Sequence, residues 1–257
     1  MNSSDTAAVE LSVIVPAFNE AARIDSGVQV ILAYLRNGGW SWELIVVDDG
    51  SVDETAVKVQ QAIAEEPRAR LIQYLPNRGK GFAVRTGVLA ASGMWIVFID
   101  ADLSTPVEEI ECALSRLQTG VDIVVGSRAH PDAHIERKSP YFRRVASAVF
   151  DRVRNIIVGL HQFSDTQCGF KAARGAAVRP LYERAVIERF MFDVEILYLA
   201  ENAGLSMEEL PVRWADSPGS TVRFLPGVYR MFRDLLRIRR VHGSARVQTG
   251  VATDSAA

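Results

Sequence analysis

The sequence predicts an α/β fold, a mostly parallel sheet with helices on both faces, on three observations. Short aliphatic runs alternate with segments whose apolar residues recur three and four positions apart. The runs are apolar throughout rather than alternating, as strands covered on both faces are. Polar and acidic residues crowd just after them, where an open α/β sheet places its ligand.

Leu11 to Val15 is the first strand, stopped by Pro16. Ile24, Val28, Ile31, Leu32 and Leu35 mark one face of a helix ending at Gly38-Gly39. Leu44 to Val47 is a second strand, closed by Asp48-Asp49-Gly50-Ser51. Ser51 and Glu54 have capping-box spacing and open a helix with Ala56, Val59 and Ile63 inward. Leu71 to Leu75 is a third strand. A basic, glycine-rich turn, Asn77 to Gly81, then precedes a helix through Val84, Val88 and Leu89. Trp95 to Ile99 is the central strand, ending in Asp100-Ala101-Asp102. Two carboxylates at the tip of a buried strand are costly unless a cation holds them. Thr105 to Glu108 reads as a second capping box, with Pro106 at the first helical position. The helix after it carries Val107, Ile110, Leu114 and Leu117, and Asp122 to Gly126 is the fifth strand.

Beyond Ser127-Arg128 the character changes. Ala129 to Pro140 is polar and holds two prolines, the pattern of a mobile loop. Phe142 to Leu160 has the period of a long amphipathic helix, and Asp165 to Lys171 passes from loop to strand. Helix is expected around Met191 to Glu201 and strand over Met207 to Trp214. Residues 228–241 are helical in period and basic, with Arg230, Arg233, Arg237, Arg239 and Arg240 against the single acid Asp234. The expected organisation is a disordered start (1–9) and one domain over 10–227, with a nucleotide-binding half (10–127) and an acceptor half (128–227). A basic amphipathic helix (228–242) and a disordered tail (243–257) follow.

At 48% hydrophobic and 23% charged residues, the 257-residue chain has the composition of a globular protein with a substantial core. Its formal net charge of −2 speaks against general nucleic-acid binding. Only Cys112 and Cys168 occur, which fits a reducing compartment. No apolar run reaches the roughly 20 residues that span a bilayer, and residues 1–10 lack the marks of a signal peptide. The expectation is a cytoplasmic protein, at most peripheral on the cytoplasmic face of a membrane.

Three acidic or polar turns follow strands that a parallel sheet aligns: Pro16 to Glu20, Asp48 to Ser51, and Asp100 to Asp102. One such turn is easily a cap; three on one rim suit a nucleotide sugar. Its diphosphate calls for a hard divalent cation, Mg²⁺ or Mn²⁺, for which Asp100 and Asp102 supply oxygen ligands. Lys80, in a glycine-rich turn at a helix start, is placed to meet phosphate. GxxxxGK[ST] is absent, so the turn is not a P-loop, and without a GxGxxG after a strand a nicotinamide or flavin enzyme has no support.

Five ordered motifs, Val15 to Glu20, Val46 to Ser51, Arg78 to Gly81, Asp100 to Leu103 and Gly126 to Arg128, resemble family 2 inverting glycosyltransferases of the GT-A fold. Ser104-Thr105-Pro106 and Asp165 to Lys171 are similar to the branch that glucosylates dolichyl or other polyprenyl phosphates. The resemblance, over residues 11 to 225, implies a Rossmann-like nucleotide half with an acceptor-side half. It places Pro16, Ala17, Glu20 and Asp49 around base and ribose, with Asp48, Lys80 and Ala101 also on the donor side. Asp100 and Asp102 would sit at the metal, with Asp100 also touching the ribose. Arg128 would meet a phosphate, and Asp165 and Gln167 the reacting sugar. Asp102, Arg128 and Asp165 are thus the catalytic candidates.

The implied reaction moves a hexose, glucose from UDP-glucose, onto a polyprenyl phosphate. A phosphate acceptor is already anionic, which casts Asp165 as a positioning group; a hydroxyl acceptor would need a base, for which Asp165, Asp193 and Glu195 are candidates. Asp193 and Glu195 read equally well as a solvated helix face. The alternatives are GDP-mannose as donor, a soluble or glycan hydroxyl as acceptor, and a nucleotide-sugar-binding regulatory module without turnover. Related polyprenyl-phosphate enzymes often carry transmembrane helices, and this chain shows none. Its basic segment 228–241 reads either as a membrane-surface helix or as a helix packed on the domain with its arginines in water. His130 and His134, with Asp132 and Glu136, outline a weak metal pattern, and Cys168 reads as a buried small residue.

Overall fold

The computed structural model describes residues 8–136, 141–215 and 224–243. The expected disordered ends lie outside them, apart from residues 8, 9 and 243. The α/β class is as expected. The main sheet comprises β1 (Leu11–Ala17), β2 (Trp42–Asp48), β3 (Ala69–Gln73), β4 (Trp95–Ile99), β5 (Ile123–Ser127), β7 (Phe170–Arg174) and β8 (Met207–Pro211). Their order is β3-β2-β1-β4-β7-β5-β8. All neighbours are parallel except β7, which runs antiparallel between β4 and β5. Two short strands, β6 (His134–Ile135) and β9 (Arg213–Trp214), pair separately.

Eight helices complete the described chain: α1 (Ile24–Asn37), α2 (Thr55–Ile63), α3 (Lys80–Ala90), α4 (Glu109–Gln118), α5 (Tyr141–Val158), α6 (Gly175–Arg184), α7 (Phe192–Asn202) and α8 (Phe224–His242). Alternate residues of each strand feed two cores, because successive side chains point to opposite faces. Ile14, Ile45, Val47 and Phe98 pack with α3, α6 and α7. Val13, Val15, Val46 and Val97 pack with α1 and α4. Each such fully buried side chain contributes about 1.5–3 kcal/mol, which is why the strands read as unbroken apolar runs.

Several local expectations are corrected. β1 continues through Pro16, which lies beyond the last pair with β4, Ile14 opposite Phe98, so the missing N–H breaks no β1–β4 bond. Neither capping box forms. Ser51 Oγ bonds the Asp48 carboxylate, and α2 is capped instead by Asp53, whose Oδ1 accepts the Thr55 N–H at 3.0 Å. α4 begins at Glu109 without a side-chain cap, after tight i→i+3 turns over Pro106 to Glu111. Within the expected loop 129–140, β6 pairs with β9. α6 has no counterpart in the sequence expectations, because Gly175 and Pro180 speak against a helix. α8 starts at Phe224, ahead of the predicted residue 228.

At the carboxyl ends, α3 approaches the turn before α7 so closely that Gly81 alone fits. A Cβ there would stand 2.6 Å from Phe192 Cβ and 2.8 Å from the Ile187 and Arg189 carbonyls. Helix propensity favours alanine by about 1 kcal/mol, but overpacking against main chain costs about 1–3 kcal/mol. Gly81→Ala is therefore expected to lower the urea midpoint. A midpoint at or above wild type would refute the close approach.

Candidate active site

The rim is assembled from the ends of β1, β2, β4, β5 and β7. After β1, Asn19 takes a left-handed backbone (φ 53°), and its Oδ1 accepts the Val52 N–H. Glu20 pairs with Arg23 three residues on, and the Arg23 guanidinium is raised above its ordinary pKa, chiefly by that bond, with Asp102 and Asp100 adding to it. Arg23, Gly27, Ala101, Asp102 and Leu103 line a surface recess beside the turn after β4. That turn is held tightly. Asp102 Oδ1 accepts the Ser104 N–H at 3.0 Å, an Asx-type turn, and Leu103 has φ 49°. Left-handed non-glycine residues cost energy and gather at functional sites.

Asp48 and Asp49, expected to face the donor, are buried and engaged by the protein itself. Asp48 accepts from Ser51 N–H and Gln73 Nε2. Asp49 accepts from Tyr74 Oη, Asn77 Nδ2 and the Arg78 and Gly79 N–H groups, all within 2.9 Å. It thereby fixes the glycine-rich turn and the start of α3. Pro16 and Ala17 are also buried, and Ala17 O accepts the Asp49 N–H.

That turn delivers Lys80 to Asp100, Nζ to Oδ1 2.5 Å. Burial works against the Lys80 charge, but Asp100 and Asp193 outweigh it and raise its pKa. Asp193, buried on α7, pairs with Lys171 of β7 at 2.6 Å. Burial pushes the Asp193 carboxyl up while both lysines pull it down. Glu195 is fully buried too: it accepts the Val186 and Ile187 N–H groups and faces His242 Nε2 at 2.7 Å. A solvated face is thus ruled out for both acids. Lys171 and Asp193 are buried groups whose part in this cluster sequence reasoning missed, because no local spacing links β7 to α7.

β7 also sets the position of Asp100. The Asp100 N–H bonds the Gly169 carbonyl at 3.0 Å, and a Cβ on Gly169 would meet Asp100 Oδ2 at 1.9 Å. Four residues earlier lies Asp165, buried against Arg128 at the end of β5. Asp165 accepts from Arg128 Nε (2.6 Å), Nη2 (3.0 Å) and N–H (3.1 Å), and from the Gln167 N–H (3.0 Å). Burial raises the Asp165 carboxyl, but Arg128 outweighs it and holds it below its ordinary value; Arg128 is held high in return. The half-exposed guanidinium lies 5.7 Å from the Trp214 ring centre. The loop is anchored by two residues the sequence did not flag. Glu209 accepts the Ser164 and Asp165 N–H groups, and the fully buried Arg154 donates to Phe163 O and Thr166 Oγ1. Cys168 is buried, which pushes its thiol up, away from nucleophilic use. No group of three metal-capable side chains occurs among the described residues, the His130/His134 pattern included.

The glycosyl transferase family 2 profile matches residues 12–178, and the chain belongs to that family. It is a glycosyltransferase with a GT-A type fold. A dolichyl-phosphate beta-glucosyltransferase of Drosophila melanogaster is 38% identical over 91% of this chain and 76% of its own length. The human protein of that name is 34% identical over 95% and 80%. Among solved structures, glucosyl-3-phosphoglycerate synthase from Mycobacterium tuberculosis, in complex with Mn²⁺, UDP and glucosyl-3-phosphoglycerate, superposes with a TM-score of 0.64. It is 22% identical, over 91% of this chain and 80% of that one.

The Asp165 carboxyl is depressed on folding, so it contributes stability that is fully present above about pH 4 and lost as pH falls below it. Asp165→Asn is expected to lose about 1.5–3 kcal/mol at neutral pH. In urea titrations the gap to wild type should narrow below about pH 4. A gap that widens in acid would contradict the assignment.

Proposed function

We propose that the protein transfers glucose from UDP-glucose to a polyprenyl phosphate of the dolichyl type, with inversion at the anomeric carbon. The observation that carries this reading is the saturation of Asp165. All four lone-pair directions of its carboxylate are taken, three of them by Arg128. Such a group is a poor proton acceptor. Asp193 is tied to Lys171, and Glu195 to two backbone N–H groups. None of the three carboxylates is placed as a general base, which a hydroxyl acceptor requires. A phosphate monoester brings its own oxyanion and needs none. The names of the relatives support the same acceptor and sugar.

In this reading the acceptor oxygen attacks C1 as the bond from C1 to the UDP β-phosphate oxygen breaks. The negative charge passes from acceptor to UDP, and no proton changes hands. Arg128 presents its remaining N–H donors to the acceptor phosphate while Asp165 fixes the guanidinium plane. Glu20 and the turn after β1 border the base and ribose, with Asp49 setting the turn from beneath. Ala101 borders the recess, Asp48 supports the turn after β2 from within, and Gln167 lies beside the sugar. Lys80 turns from Asp100 to the diphosphate.

Asp102, half-exposed at the rim and two residues from Asp100, suits a hard divalent ion. Two carboxylates supplemented by ligand phosphates and water form an ordinary Mg²⁺ or Mn²⁺ set. Bound there, the ion would supply Lewis-acid stabilisation of the departing diphosphate.

Labelled UDP-glucose, Mn²⁺ and detergent-dispersed polyprenyl phosphate are expected to give labelled lipid. Asp102→Ala should reduce the rate by roughly a hundredfold or more. Label found only on a soluble hydroxyl acceptor would overturn the acceptor assignment.

A further inference from the structure

α8 carries two apolar stripes where packing needs one. Leu235 and Ile238 are fully buried, Met231 packs against the core, and His242 reaches Glu195, so this stripe docks the helix. The only acid on it, Asp234, is also buried. On the opposite side Tyr229 (74% exposed), Phe232 (45%) and Leu236 (48%) follow at i, i+3 and i+7. Arg233, Arg237 and Arg240 run alongside them, all exposed. In a chain of net charge −2 this is a local concentration of positive charge.

α5, packed beside α8, repeats the arrangement. Arg239 Nη1 of α8 donates to the Ile157 carbonyl of α5 at 2.7 Å. Val149 (59% exposed) and Ile156 (73%) project outward seven residues apart, with exposed Arg152 between them. Arg154, on the other side of α5, holds the loop that carries Asp165. One helix thus links an outward apolar and cationic face to the acceptor side of the site.

We propose that the outer faces of α8 and α5 form a docking surface for an anionic lipid bilayer. Aromatic and aliphatic side chains would enter the interface while the arginines meet lipid phosphates. The charge pattern favours lipid over an apolar protein partner, since exposed arginines flank the stripe and the one acid of α8, Asp234, is buried and paired with Arg233 at 3.4 Å. Among the described residues no helix is long and apolar enough to cross a membrane. Its purpose rests on the polyprenyl-phosphate reading, because α5 carries both this outer face and Arg154, which holds the Asp165 loop. Its test does not.

The full chain is sedimented with phosphatidylcholine vesicles, with and without phosphatidylglycerol, in the absence of nucleotide and polyprenyl phosphate. Wild type is expected to pellet with the anionic vesicles, and less so as salt rises. The triple variant Arg233→Gln, Arg237→Gln, Arg240→Gln should weaken partitioning by roughly a hundredfold. Phe232→Ser with Leu236→Ser should remove the salt-resistant part, and unchanged far-ultraviolet dichroism would show that the helix persists. Wild type remaining in the supernatant, or the triple variant pelleting equally well, would overturn the proposal. With detergent-dispersed acceptor the triple variant should turn over like wild type; a parallel loss there would assign the arginines to the site and also overturn it. Vesicle binding without any labelled lipid product would instead count against the transfer reaction and leave the docking surface standing.

Discussion

The 2.5 Å ion pair between Lys80 and Asp100 lets a carboxylate stand at the end of a strand whose five residues are all buried. Its geometry depends on elements far apart in sequence. Asp49 gathers the turn that starts α3, which fixes Lys80. β7, wedged antiparallel between β4 and β5, lays Gly169 against Asp100 with no room for a side chain. Lys171 and Asp193 continue the alternation of charge beneath it. Isolated in a dry interior each of these groups would cost several kcal/mol; alternating in sign, they offset one another and leave the rim assembled before any ligand arrives.

That preassembly decides which chemistry the rim can support. A carboxylate that already accepts four N–H donors gains nothing by taking a proton, so Asp165 is suited to orienting Arg128. Arg128 in turn is held by a bidentate contact and flanked by Trp214, which restricts it to one plane. A planar, fully charged fork is the group best matched to a phosphate. Rigid loops underlie this arrangement, since Arg154 and Glu209 clamp residues 163–166 from two sides.

The sheet was legible because strands covered on both faces leave unbroken apolar runs, and Trp95 to Ile99 reads that way at sight. The acidic turns were legible because their residue types conflict with their burial. What the chain does not disclose locally is direction and depth. β7 follows a loop and could run either way; only the pairing of Phe170 with Ile99 makes it antiparallel. Asp193 and Glu195 share a helix with apolar neighbours, and spacing alone cannot tell a solvated face from a buried ion pair across the sheet. Capping boxes at Ser51 and Thr105 do not form because each hydroxyl has another partner: Ser51 bonds Asp48 three residues back, and Thr105 faces Cys168 across the fold. The sequence of α8 reads as basic and amphipathic, but its second apolar stripe emerges only from the inward packing of Leu235 and Ile238.

Under the proposed function the ends of β1, β4 and β7 form one preassembled donor site with Asp102 at its cation. Crystals grown with UDP-glucose and Mn²⁺, measured at the manganese absorption edge, test it most directly. The expected result is an anomalous peak in contact with Asp102 and the diphosphate, with Lys80 turned toward a phosphate oxygen. A peak away from Asp102, or nucleotide density elsewhere on the molecule with Lys80 still on Asp100, would contradict it.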